Sequence, residues 1–417
     1  MFEKIKTFIN KNFHSMSHRN YRLFFIGQLV SLIGTWMQAM AQAWLVYEIT
    51  NSPFKLGIVA ALQFLPVLLF GLFMGVFVDK FHKKNILIIT QTASMLQAFV
   101  LFGLAYFNVI EYWHILILSG LLGCTNALDM PARQAYVIEL VGRKDVVNAI
   151  GLNSVVFNTA RIVGPAIAGI LMTSVGTAWC FLLNGMSFIG VIIALMMIRH
   201  TAEERAAVYQ KKKVNLIKDI KEGLLYIYRT PLLFKTSLII LFITILGFNY
   251  NVLLPVFAKT VLGLREKGFG LLLSSLGIGS LIGALTVSVM GKSNPRGRTL
   301  IISSIFLGLL LFFLGLVSNR ILAVVILALC GVFNIWFFTN ANSILQLNSA
   351  DEYRGRVMGV YAMVFGGTIP IGNFITGLIA EKTGAAFTFN IMGAVIFITV
   401  LLFLVIRGPL KQLTGNR

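Results

Sequence analysis

The sequence predicts an all-α polytopic membrane protein of twelve transmembrane helices in two pseudo-symmetric six-helix bundles. Composition, the length of the apolar runs and an internal repeat predict it. Of 417 residues, 57% are hydrophobic and 12% charged, with a mean hydropathy of +0.85. Soluble domains carry about 45–50% apolar and about 25% charged residues. A soluble fold cannot hide this much apolar surface, whereas a bilayer can.

A membrane helix needs roughly 20 apolar residues. Such runs occur at 22–49, 54–78, 85–107, 112–130, 146–172, 177–198, 233–258, 268–290, 299–318, 321–347, 356–380 and 385–406, here called spans 1 to 12. Barrel strands would be about ten residues long and alternate in polarity, which these runs do not. The expected organisation is a segment 1–21, a bundle 22–198, a linker 199–232, a second bundle 233–406 and a tail 407–417. The basic start of the chain lacks the short apolar core and small-residue cleavage site of a signal peptide. It reads as a retained segment lying along the membrane surface.

Lys and Arg set the orientation. The side of the membrane that holds both termini carries 28 of the 35, the opposite side 6, and Arg161 lies within the membrane. Both termini are therefore expected in the cytoplasm, in a cell membrane. The net charge of +20 becomes a topology signal and a contact for anionic lipid headgroups, and nucleic acid is not an expected partner. Trp44, Tyr47, Tyr112, Trp113 and Trp179 fall at the outer ends of spans, where an aromatic belt is expected. The three cysteines, Cys124, Cys180 and Cys330, lie in apolar runs and read as small packing residues.

The linker lies near the middle of the chain. Its 201–213 stretch is charged and reads as flexible. Its 216–228 stretch reads as an amphipathic surface helix with Leu216, Ile220, Leu224 and Ile227 on one face. The halves repeat: Gly151, Gly164 and Gly169 are followed by Gly359, Gly372 and Gly377, each 208 residues later. Gly71 and Lys80 recur as Gly283 and Lys292, 212 residues later. Two six-helix repeats describe a transporter that rocks about a central site.

After span 2 the chain reads Gly71, Gly75, Asp79, Lys80, Lys83 and Lys84 within fourteen residues. This resembles the signature loop of the major facilitator superfamily. Gly75 permits close helix approach, and Asp79 can accept charge-assisted bonds from Lys80, Lys83, Lys84 or Arg133. Such a cluster reads as a gating latch between the halves, although an ordinary solvated turn has the same composition. The corresponding turn at 291–298 keeps its basic residues and has no aspartate.

Span 5 carries Arg161, then Gly164-Pro165 and Gly169. This resembles the glycine–proline motif on the fifth helix of exporters of the superfamily. Three stretches, at 43–52, 129–134 and 222–232, narrow the resemblance to the branch with macrolide efflux proteins and the enterobactin exporter. The resemblance spans essentially the whole chain. It implies export driven by an ion gradient, with H+ the expected ion, by a chain that acts as a monomer. Many proton-coupled drug exporters carry an arginine four residues before a span-4 glycine; here that position, before Gly123, is Ser119.

Charges inside a bilayer are costly and functional by default. Arg161 lies about 22 Å into span 5 at 1.5 Å per residue. It is expected to meet an anionic group of the cargo, an acid that titrates, or a fixed partner such as Glu48. Glu48 and Asp129 are the acids that burial would raise toward physiological pH; both also suit a surface role. The cavity of this fold is lined by spans 1, 4, 7 and 10. Thr35, Trp36, Gln38, Gln42, Asn126, Asn249, Tyr250, Asn251, Asn334, Trp336, Phe337 and Asn340 are the candidate cargo contacts. Rings and amides suit an amphiphilic cargo such as a drug, macrolide or siderophore, though interhelical amide bonding explains the same residues.

Gly291-Lys292-Ser293 lacks the earlier glycine of a phosphate loop, and no metal-ligand or nucleophile motif is present. Neither an enzyme, a metal nor an organic cofactor is expected. An importer or lipid flippase of the same fold, and a receptor or scaffold without transport, remain as alternatives.

Overall fold

The computed structural model describes residues 14–198, 216–290 and 296–405. The expectations for residues 1–13, the charged 201–213 stretch, the 291–295 turn and the 407–417 tail lie outside the described residues. Within them the chain is helical throughout, with eleven segments long and apolar enough to cross a membrane. The last, Asp351–Phe403, is interrupted at Gly384 (φ 78°) and holds two of the expected spans. The count is thus consistent with twelve.

Span 1 is Arg19–Thr50, span 2 Pro53–Asp79, span 3 Lys83–Tyr106 and span 6 Ala178–Met197. Spans 4 and 5 form one run, Tyr112–Ser174, broken only at Gly142 (φ 71°). Spans 11 and 12 repeat this arrangement about Gly384 within Asp351–Val405. Both elbows need a left-handed backbone, which glycine adopts without steric cost. Spans 8, 9 and 10 are Glu266–Met290, Arg296–Leu314 and Arg320–Leu347. Span 7 comes in two pieces, Pro231–Gly247 and Tyr250–Thr260, separated by Phe248 and Asn249. The linker helix is Leu216–Arg229.

The stretch 131–145, expected as a loop, is helical instead on both sides of the Gly142 elbow. Its Tyr136, Val137, Leu140 and Val141 are buried in a core with Tyr21, Phe24, Val78, Ile86 and Leu87. That burial stabilises about three further turns of span 4 despite Pro131. Of the aromatic residues at span ends, Trp44 and Tyr47 are buried, Trp44 stacking on Phe269, while Trp113 and Trp179 are exposed. Cys180 and Cys330 are buried, but Cys124 is exposed, since it faces away from its own bundle.

Two compact units form. One comprises residues 1–42 with 69–213, the other 214–417 with 43–68. The far ends of spans 1 and 2 thus belong to the second unit. In the first unit, Tyr21 donates to the Ala149 carbonyl (3.0 Å), and His18 meets Asp145 (2.9 Å). In the second, the linker helix is pinned to the start of span 11. Tyr226 stacks on Tyr353 at 4.5 Å, and Glu222 pairs with Arg356 at 3.2 Å. Ile227 and Gly223 are buried there while Leu224 is exposed, so the packed face is rotated from the one expected.

The glycine repeat has a physical basis. A Cβ on Gly164 would lie 2.8 Å from the Ile33 carbonyl oxygen, so span 5 rides on the backbone of span 1. A Cβ on Gly372 would lie 2.5 Å from the Ile245 carbonyl oxygen, so span 11 rides on span 7 in the same way. Gly151 and Gly359 have open space instead. We expect Gly164→Ala and Gly372→Ala each to cost about 1–3 kcal/mol through overpacking. Gly151→Ala and Gly359→Ala should stay within about 0.5 kcal/mol of the parent. Thermal unfolding in detergent checks both pairs.

Candidate functional site

The acid with the most elaborate surroundings is Asp129, on span 4 in the first unit. It is 6% exposed. Its Oδ1 accepts from Thr90 Oγ1 and Gln91 Nε2, both at 2.8 Å, and its Oδ2 accepts from Arg133 Nε at 2.8 Å. Arg133 Nη2 donates to the same Oδ2. Asp129 and Arg133 are one helical turn apart, so a single helix presents both, and span 3 supplies the hydroxyl and amide. A buried carboxylate is tolerated when paired and fully hydrogen-bonded in this way.

The structure gives three of the four proposed latch cations partners other than Asp79. Lys83 is buried and meets Glu139 at 3.5 Å. Lys84 donates to the Ile198 carbonyl at 2.8 Å, and Arg133 serves Asp129. Asp79 and Lys80 are exposed. An added Cβ at Gly75 would meet nothing within 4 Å among the described residues. Gly75 is therefore not a contact glycine in this conformation. Pro165 and Gly169 are buried beside Gly164.

Several candidate cargo residues are hydrogen-bonded within their own unit. Asn184 Nδ2 donates to Gln38 Oε1 (2.8 Å), and Gln38 Nε2 donates to Gln97 Oε1 (3.0 Å), which ties spans 6, 1 and 3. Gln42 donates to Ser119 Oγ at 2.8 Å. Ser119, four residues before Gly123, is thus a buried acceptor for span 1. In the second unit Asn249 returns to the Ile245 carbonyl at the break in span 7, and Asn334 donates to the Tyr250 hydroxyl (3.2 Å). Asn340 bonds the Trp336 carbonyl, and Phe337 is fully buried.

What remains accessible is amphiphilic. On the first unit Thr35 is exposed and Trp36 half-buried, Trp36 packing edge-on to Phe157 at 5.5 Å. The Arg161 guanidinium carbon is 5.9 Å from the Trp36 ring centroid, a cation–π distance. Asn126 and Asn158 are partly exposed in the same unit. On the second unit Asn251 and Glu48 are exposed. Half-buried Trp336 donates to Thr286 Oγ1 at 2.8 Å. Spans 7, 10 and 11 together form a ring ladder whose Phe338, Tyr361 and Phe365 sequence reasoning missed: Phe338 lies 4.4 Å from Phe248 and 4.8 Å from Phe365, which Tyr361 stacks against. The signal was present in the i, i+4 spacing of Tyr361 and Phe365, as it was in Phe157 and Arg161. Among the described residues no group of three His, Cys, Asp or Glu is placed to hold a metal.

Comparison with known proteins places this geometry. Residues 10–414 match the family model described as transmembrane secretion effector. The chain belongs to this family of the major facilitator superfamily. It is 30% identical to a staphyloferrin A transporter of Staphylococcus aureus over 94% of this chain and 97% of that protein. It is 26% identical to the multidrug efflux pump Tap of Mycolicibacterium fortuitum, covering 88% and 90%. It is 24% identical to macrolide efflux protein A of Streptococcus pyogenes, covering 91% and 95%. Among solved structures, the nucleoside transporter NupG superposes with a TM-score of 0.76 at 11% identity, over 93% of this chain and 98% of that one. A D-xylose-proton symporter gives 0.72 at 13%, over 91% and 96%. These two show the fold. The protein is a multi-pass membrane transporter.

Truncating Asp129 strands two donors of Arg133 and the amide of Gln91, while Thr90 keeps only its bond to the Leu87 carbonyl at 3.1 Å. Asp129→Ala should therefore destabilise the protein by about 3–5 kcal/mol. Glu48→Gln, at an exposed site, should leave the unfolding temperature in detergent unchanged.

Proposed function

We propose that this chain is a secondary active exporter of amphiphilic small molecules, of drug, macrolide or siderophore type, working by alternating access as a proton antiporter. The observation that carries the reading is Arg161, a span-5 cation half-buried against Trp36, which itself packs on Phe157. A cation kept at membrane depth on an aromatic surface suits a cargo that offers both a ring system and an anionic or polar group. The ring ladder of Phe248, Phe338, Phe365 and Tyr361 suits the apolar part of the same cargo. Export is supported by the Gly164-Pro165 contact with span 1 and by whole-length similarity to efflux proteins.

In this reading both termini are cytoplasmic and the basic loops lie against anionic headgroups. The chain works as a monomer. Cargo enters from the cytoplasm, the halves rock, and an inward proton gradient resets the cycle. Asp79, Gly75 and the neighbouring cations close the cytoplasmic side in the opposite conformation, when Lys83 and Arg133 exchange partners. Asp129 is the partner that Arg133 leaves in that exchange.

Efflux of a macrolide and of a cationic dye from cells expressing the chain tests the proposal. Accumulation of at least one compound should fall, and a protonophore should restore it. Arg161→Gln should reduce efflux by roughly tenfold, the value of about 1.4 kcal/mol of lost cargo or transition-state interaction. Undiminished efflux with proton and sodium gradients both collapsed would overturn the mechanism.

A further inference from the structure

Residues 43–68 are the far ends of spans 1 and 2 with the turn between them. By sequence they belong to the first half, yet they pack within the second unit. The docking is built from chemically distinct contacts. At the turn, Glu381 of span 11 accepts from Ser52 Oγ at 2.8 Å and from the Phe54 backbone N–H at 3.1 Å. Ser52 is 9% exposed and also accepts from the Lys55 N–H, so carboxylate and hydroxyl together satisfy the free amides that open span 2.

One turn further along, spans 2 and 11 touch through glycine. A Cβ on Gly57 would lie 2.6 Å from the Asn373 carbonyl oxygen, and one on Gly377 would lie 2.8 Å from the Pro53 carbonyl oxygen. Phe54 packs edge-on to Phe374 at 5.5 Å beside them. Across the turn, Lys259 of span 7 donates to Asn51 Oδ1 at 3.2 Å and lies 5.2 Å from the Tyr47 ring centroid. Asn51 itself has φ 47°, a left-handed conformation that Asn tolerates better than most residues.

We propose that Glu381 is a positioning residue of the transport cycle: it latches the 43–68 hairpin to span 11, closes the outward-facing end, and must let go for cargo to leave. This rests on the alternating-access reading and adds a gate on the side opposite Asp79. The contacts suit a catch that opens repeatedly. Glu381 is exposed, so water replaces Ser52 and the Phe54 amide as it withdraws. The glycine seam holds by close packing and lets go without stranding a buried charge.

The test places a cysteine at Ala60, which is 8% exposed within the docked hairpin. The background carries Cys124→Ser, Cys180→Ala and Cys330→Ala. Its reaction with a membrane-impermeant maleimide is followed in right-side-out vesicles without cargo or gradient. Glu381→Ala should raise the labelling rate roughly tenfold, the loss expected for a charged hydrogen bond. Ser52→Ala, which keeps the Phe54 contact, should raise it less, and Lys382→Ala should leave it at the parent rate. Gly57→Val should raise it with Glu381 intact, by wedging the seam.

Parent-rate labelling in both Glu381→Ala and Ser52→Ala overturns the latch, as does an equal rise in Lys382→Ala. Should Glu381→Ala fail to purify as a single species, Ser52→Ala decides alone. Labelling needs no cargo and no ion gradient. A failed efflux assay with the expected labelling pattern therefore leaves the latch standing and refutes only the cargo or coupling.

Discussion

Inside a bilayer a polar group has no water to fall back on, so each one between helices must find a partner on another helix or pay several kcal/mol. Much of this structure follows from that constraint. The Gln38–Gln97–Asn184 chain, the Gln42–Ser119 bond and the Tyr250–Asn334 pair join spans far apart in sequence. Leu-rich surfaces that suit lipid equally well would join them only weakly. Asp129 takes the constraint furthest, since a full charge there commits two donors of Arg133, a hydroxyl and an amide to one spot. The first unit is thereby held by specific polar bonds, while the second relies more on glycine contacts between spans 8 and 10 and between 9 and 12.

The same constraint explains how much was legible beforehand. Span positions followed from composition because only long apolar helices satisfy their backbone in lipid. The repeat was legible for a related reason: Gly164 and Gly372 each let a helix lie on a backbone carbonyl of its neighbour, and only glycine allows that approach. The extension of spans 4 and 5 through 131–145 was hidden because its charges suggested a loop. The apolar set at Tyr136, Val137, Leu140 and Val141 outweighed them.

The site was less legible, since a glutamine or asparagine in an apolar run has the same appearance whether it faces a cargo or a neighbouring helix. Gln38 and Gln42 proved to be ties between helices; Thr35 and Trp36, beside them in sequence, face outward from the bundle core. The difference is helical phase against helices whose placement the sequence does not state. Tyr361 and Phe365 were missed because span 11 was not counted among the lining helices, and Phe338 because its neighbour Phe337 reads as the ring of span 10 that faces the cavity. Glu381 was missed because an acid at a helix end resembles any solvated charge until its partners, 327 and 329 residues away, are seen.

Span 1 is a single uninterrupted helix from Arg19 to Thr50, yet Gln42 belongs to one unit and Ala43 to the other. A loop at that boundary would swivel freely; a hydrogen-bonded ladder cannot. Any displacement between the two ends of span 1 is taken up by curvature spread over several turns, since neither Gly nor Pro lies between Thr35 and Thr50 to localise a kink. Span 2 differs, having Pro66 close to its own crossing point at Leu68. One arm of the hairpin therefore behaves as a leaf spring and the other as a jointed strut, which gives the pair a direction in which it yields most easily.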